Sequence, residues 1–227
     1  MFHGGATGTT DVRAYFERAA ERFDRLYTEE RQTPFMRWVN ARFRRDIAER
    51  YLQTLELAER VRPDSVLDVG CGSGRYLAAL AEHGVPHLVG VDLSEPMLAI
   101  ARRETEHSNG AMVELHCADY MTWTSGEARD MVIAMGLFDY VDDPRAMLER
   151  MRRDATRAVI ASFPSKHWFR TPLRKVRYRI KKCPVYFYDP ETIKQLGHDA
   201  GYARVDVEKI RGAGMDYVAT FWVDGNG

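Results

Sequence analysis

The stretch SVLDVGCGSGRYL, Ser65–Leu77, carries an apolar run straight into three alternating glycines, Gly70, Gly72 and Gly74. The run is a buried-strand pattern, and glycine at every second position makes a turn that side chains would obstruct. An amphipathic stretch follows at 75–83. A strand, a glycine turn and a helix in this order let backbone approach a ligand closely and point helix N–H groups at it. The chain therefore has to build a sheet whose strands end beside helix starts.

The texture beyond residue 65 agrees. Apolar runs at Val66–Val69, Leu88–Val91, Met112–His116, Met131–Ala134 and Ala158–Phe163 alternate with helix candidates at 75–83, 95–106 and 143–151. Ser94 is placed as an N-cap, with Glu95 and Pro96 in the first turn that follows. Such alternation specifies an α/β fold, an open and mostly parallel sheet with helices on both faces. Asp189 and Pro190 start a further helix to Ala200. The segments YARVDVEKI and MDYVATFWV, joined by a turn at Arg211–Gly214, then read as two paired strands that add an antiparallel strand to the sheet. Ahead of the sheet, residues 1–9 are rich in Gly and Thr. Helical patterns follow in DVRAYFERAAERFDRLYTEE and from Pro34 to Arg60, the latter with Phe35, Met36, Val39, Phe43, Ile47, Leu52, Leu55 and Leu57 as its apolar positions. The expected division is a helical N-terminal extension or lid over 1–60 and a ligand-binding domain over 61–227, with a basic insertion at 164–188.

Composition excludes several classes. Apolar residues make up 45% and charged residues 29%, as in a soluble globular protein. Lys+Arg and Asp+Glu balance at 33 each, so no global field attracts a polyanion, and a dedicated nucleic-acid binder is not expected. Cys71, Cys117 and Cys183 lack metal-ligand spacing; Cys71 and Cys117 sit in apolar context and read as core fillers, and no metal is expected. No run of 18 apolar residues and no basic-then-apolar leader is present, so a cytoplasmic location is the expectation.

Four marks narrow the ligand. The glycines are spaced G-x-G-x-G, and Arg75 stands where a dinucleotide turn carries its third glycine. Asp92 ends the next strand, where a carboxylate can take both hydroxyls of a ribose. Asp119, in CADY after the third strand, can accept from an adenine amino group. No G-K-[ST] phosphate clamp is present. Together these describe an adenosine ligand without a pyrophosphate.

The segments VLDVGCGSG, VGVDLSEPMLAIAR, HCADY and DMVIAMGLFDYVDDPRAML, in this order over residues 60–165, resemble the class I S-adenosylmethionine-dependent methyltransferases. The resemblance implies a Rossmann-like, seven-stranded, mostly parallel sheet with an antiparallel last strand, and S-adenosylmethionine as cofactor. It implies that Asp68, Gly70, Gly72 and Gly74 surround the methionine part and that Asp92, beside Leu93, holds the ribose. Met97 is placed near the adenine, Asp119 and Tyr120 at its edge, and Met135 against the site. The FDRLY helix and DYVDDPRAML are further similar to the ubiquinone-type and magnesium-protoporphyrin O-methyltransferases. Asp139 stands where the porphyrin enzymes have histidine, which counts against a porphyrin acceptor.

The activity so implied is methyl transfer to an O or N atom of a small-molecule acceptor. An RNA or protein methyltransferase and a non-catalytic adenosine-binding module remain the alternatives. The [DN]-P-P-[YFW] pattern of exocyclic-amine enzymes is absent after the fourth strand, where MGLFDY stands. In-line transfer from an activated methyl relies on proximity and orientation, and a general base is required only for a protonated nucleophile. His167 and Tyr140 are the catalytic candidates, with Asp139 beside Tyr140. Tyr27, Tyr140, Tyr186 and Tyr188 are the substrate candidates. In the insertion, Phe169, Leu173, Val176 and Ile180 make one helical stripe among seven basic residues. Three readings stay open for 168–182: a helix packed with a solvated basic face, a lid over an acidic acceptor, and peripheral contact with an anionic membrane. Oligomeric state is not legible.

Overall fold

The computed structural model describes residues 34–124, 126–165, 186–210 and 216–224, with side chains from residue 47 onward. Along the chain run α1 (Pro34–Val61), β1 (Ser65–Val69), α2 (Arg75–Glu82), β2 (His87–Asp92), α3 (Glu95–Glu104), β3 (Met112–Cys117), β4 (Arg129–Ala134), α4 (Pro144–Asp154), β5 (Ala155–Phe163), α5 (Pro190–Asp199), β6 (Arg204–Lys209) and β7 (Tyr217–Trp222). The strands form one seven-stranded sheet in the order β3-β2-β1-β4-β5-β7-β6. The first five are mutually parallel, and β7 runs antiparallel to both β5 and β6. The α/β class, the mostly parallel sheet and the antiparallel last strand are those expected from the sequence.

Alternation along the strands divides the core into two layers. Leu67, Val69, Val89, Val132, Val159 and Phe163 pack under Leu148, Met151 and Ile193 of α4 and α5. Val66, Leu88, Met131, Ile133 and Ile160 pack against Leu77, Leu80 and Leu98 of α2 and α3. Leu57, Ala58 and Val61 of α1 belong to this second layer, so α1 crosses the expected boundary at residue 60 and is built into the core. Of its expected apolar positions Leu55 and Leu57 are buried, beside Thr54, Ala58 and Val61, whereas Leu52 is 57% exposed. At 100° per residue, Leu52 lies nearly opposite that face.

Three helices open on a side-chain cap. Ser94, Asp143 and Asp189 accept from the backbone N–H of Met97, Ala146 and Thr192, each with a proline in the first turn. Helix α2 instead opens on Gly74 in the left-handed region, with no side-chain cap. The β-strand C-termini of the parallel set lie along one edge. The order of strand addition reverses between β1 and β4, which makes this the place where open α/β sheets bind ligands.

Cys71 is buried, but Cys117 is exposed, contrary to its expected place in the core. It closes β3, an edge strand of the sheet, and its thiol donates to the Leu93 carbonyl at 3.7 Å. The helix expected over residues 11–30, with Tyr27, and the basic segment, with His167 and the 168–182 stripe, lie outside the described residues. Among the described residues no helix is long and apolar enough to cross a membrane.

Candidate functional site

The β1–α2 turn is held by backbone alone. Gly70 and Cys71 donate to the Val91 carbonyl at 2.8 and 3.2 Å, and Gly74 donates to the Cys71 carbonyl at 2.9 Å. Gly70, Gly72 and Gly74 have φ of 73°, 53° and 76°, a region that L side chains avoid. A Cβ on Gly74 would stand 2.9 Å from Cβ and 3.0 Å from Cα of Ala101 on α3. The close approach thus falls on Gly74, and Arg75 is exposed.

Asp92 is fixed against this turn. One carboxylate oxygen accepts from Gly72 N and the other from Ser94 N, both at 2.8 Å. Each oxygen can take about one bond more. Burial raises its pKa above the ordinary value, opposed by these backbone donors. Asp68, on β1, is 1% exposed, and its Oδ2 has no hydrogen-bond partner among the described residues. Burial first, and the Asp92 charge second, push its pKa up to about 8. Two carboxyl groups are therefore packed at one glycine turn, one of them with an unmatched oxygen. That arrangement favours a cation.

The neighbouring residues close around this pair. Met97 on α3 is buried, its Cε 3.4 Å from where a Cβ on Gly72 would lie. Leu93 is half-buried beside Asp92. Ala118 N donates to the Asp92 carbonyl at 3.0 Å and joins the β3 exit, with Asp119, to the β2 exit. Met135 is half-buried after β4. Leu137, which sequence reasoning passed over, stands 3.3 Å from where a Cβ on Gly70 would lie. Its only signal in the sequence is its place directly after β4.

Comparison with known proteins agrees with this geometry. Residues 66–156 match the family model described as a methyltransferase domain. A ubiquinone biosynthesis O-methyltransferase of Coxiella burnetii (strain Dugway 5J108-111) is 33% identical over 99 residues, 43% of this chain and 42% of that protein. One from Neisseria meningitidis serogroup C is 32% identical over 90 residues, 39% of this chain and 38% of that protein. The chain thus matches about two fifths of the length of these curated relatives. The crystal structure of magnesium protoporphyrin IX methyltransferase from Synechocystis PCC 6803 with bound SAH superposes with a TM-score of 0.74 at 21% identity. It covers 94% of this chain and 99% of that one. Residues 66–156 are thus similar to a methyltransferase domain.

The remaining candidates from the sequence gather where β4 and β5 finish. Tyr140 is half-buried, its N–H donating to the Leu137 carbonyl at 3.0 Å. Tyr186 donates from its backbone to the Asp139 carbonyl at 3.0 Å and from its hydroxyl to Asp142 at 2.5 Å. Partial burial, then the Asp142 contact, push its pKa up to about 12. Tyr188 is 5% exposed, its ring edge-on to Phe163 at 5.2 Å, and it bridges to Ser165. Burial, with Asp139 nearby, pushes its phenol well above the ordinary range. Tyr186 and Tyr188 both stay protonated at neutral pH, which suits hydrogen-bond donation and not proton abstraction.

Tyr120 is placed differently from expectation. Instead of framing a ligand edge, its ring is 5% exposed in the core and its hydroxyl donates to Asp154 Oδ2 at 2.7 Å. The loop after β3 folds back onto α4, and this turns the ring inward.

Proposed function

We propose that this chain binds S-adenosylmethionine at the Gly70–Gly74 turn and transfers its methyl group to an oxygen or nitrogen atom of a small molecule. The observation that carries the reading is Asp92, whose two oxygens are pinned by Gly72 N and Ser94 N at the mouth of the turn. The residues fit the cofactor: an unmatched buried oxygen on Asp68, two fixed acceptors on Asp92 and the apolar flank of Met97 answer an ammonium, a ribose and an adenine ring. Asp119 accepts from Met121 N through Oδ1 at 2.9 Å, and its other oxygen has no partner among the described residues, which suits an adenine amino group. When bound, S-adenosylmethionine supplies an activated sulfonium methyl. The contribution left to the chain is orientation of the acceptor and exclusion of water. Tyr140, Tyr186 and Tyr188 are the groups proposed to orient it. The names of the relatives support a small-molecule acceptor, and the O-methyltransferases among them support oxygen.

Isothermal titration with S-adenosylmethionine and S-adenosylhomocysteine tests the donor site, and absence of binding by both defeats the proposal. Incubation of lysate with labelled methyl donor tests the acceptor. Label is expected in the small-molecule fraction; label confined to RNA or protein would replace the small-molecule assignment.

Asp68 adds a pH signature. Its pKa in the folded chain, about 8, lies above the ordinary carboxyl value, so the group is largely protonated at pH 7. A bound cation favours the carboxylate, and up to one proton is expected to leave on binding near pH 7. Titration heats measured in phosphate and in Tris should therefore differ, and Asp68→Asn should remove the difference. An equal buffer dependence of the heats in wild type and variant would remove Asp68 from the site. In the free protein the sign is reversed in effect: the native state holds more protons than the unfolded state between pH 4 and 8, so Asp68 makes stability fall as pH rises through that window.

A further inference from the structure

We infer that Arg150, on α4, is a positioning residue for adenine recognition, because its guanidinium clamps the loop that carries Asp119. The inference rests on the proposed adenosine site. Arg150 donates from Nη1 to the Met121 carbonyl at 2.6 Å and from Nη2 to the Trp123 carbonyl. Its guanidinium carbon lies 4.7 Å from the centre of the Tyr120 ring, and its Nε is 3.5 Å from Asp154 Oδ2. Tyr120 donates to the same Asp154 oxygen. One side chain thus grips two carbonyls and one ring within a four-residue span.

The grip passes directly to Asp119. Thr122 N and Trp123 N donate to the Asp119 carbonyl at 3.0 and 2.8 Å, and Met121 N donates to its carboxylate. The two residues whose carbonyls Arg150 holds are therefore two of the three whose N–H groups set the Asp119 backbone and carboxylate. An arginine can do this because its fork presents several donors in one plane; a lysine ammonium offers a single point. The arrangement also accounts for the burial of Tyr120, which serves as the surface the guanidinium stacks on. Arg150 does not contact the ligand. It holds the carboxylate that does.

Competitive binding of S-adenosylhomocysteine and its 6-oxo analogue, in which hypoxanthine replaces adenine, separates positioning from general stability. A carboxylate that accepts from the 6-amino group favours adenine, and the wild type is expected to prefer it by about tenfold or more, a difference of about 1.4 kcal/mol. Asp119→Ala should bring the ratio to within about twofold. Arg150→Lys, which keeps the charge near Asp154, should do the same, as should Arg150→Ala if it folds. Melting temperature is followed in parallel. Full adenine preference in Arg150→Lys overturns the clamp and leaves the adenosine site standing. Equal affinity of the wild type for both compounds overturns the role of Asp119 and the clamp with it. No binding of either compound by the wild type overturns the adenosine site itself.

Discussion

Asp92→Ala is expected to weaken S-adenosylmethionine and S-adenosylhomocysteine binding by about 100-fold or more. Two losses combine. The ribose loses both of its proposed acceptors, and hydrogen bonds to a charged group are worth about 1.5–3 kcal/mol each. The turn also loses its anchor, because Gly72 N and Ser94 N no longer share a carboxylate. Asp92→Asn keeps the shape but turns an amide N–H₂ toward one of these N–H groups, so it should bind nearly as poorly. Titration calorimetry measures both, with circular dichroism to establish that the variants fold. Binding by Asp92→Ala within tenfold of wild type would remove the observation on which the proposed function rests.

Gly74→Ala is expected to cost about 2–5 kcal/mol of stability, the sum of roughly 1–2 for an L residue in the left-handed region and roughly 1–3 for overpacking. The new methyl would meet Ala101 at 2.9 Å from its Cβ and 3.0 Å from its Cα, and backbone cannot swing aside as a side chain can. Gly110→Ala supplies the comparison. Its φ is 86°, yet nothing lies within 4 Å of the added carbon, so it carries strain without collision. Thermal unfolding of the two variants should separate them, Gly74→Ala melting lower. Equal melting points would show that the contact between the start of α2 and α3 is slack.

The parts legible in the sequence are those with local causes. Val66–Val69 and Gly70, Gly72 and Gly74 are neighbours in the chain, and a strand running into a left-handed turn is written in consecutive residues. Ser94 before Glu95 and Pro96, and Asp189 before Pro190, marked helix starts in the same way. The remaining features are long-range. Leu137 meets Gly70 only because β4 lies beside β1. Arg150 is one of several charged positions on α4, and its partners lie 27 and 29 residues away. Tyr120 beside Asp119 invited a role at the ligand, but the loop after β3 folds back onto α4 and puts its ring in the core. Cys117 had an apolar context and still reached solvent, because membership of an edge strand is decided by sheet order.

The ion pair under α1 bears on where this protein can be shortened. Arg50 Nη2 meets Asp216 Oδ2 at 2.5 Å, and Asp216, 3% exposed, also accepts from Ser165 N at 3.2 Å. The family model begins at residue 66, sixteen positions beyond Arg50. A chain trimmed to that boundary would strand a buried carboxylate at the base of the terminal hairpin and remove Leu55, Leu57, Ala58 and Val61 from the second core layer. A unit cut at residue 66 is thus expected to melt lower than one that keeps the helix before the first strand, because that helix supplies both a counter-charge and a wall of the core.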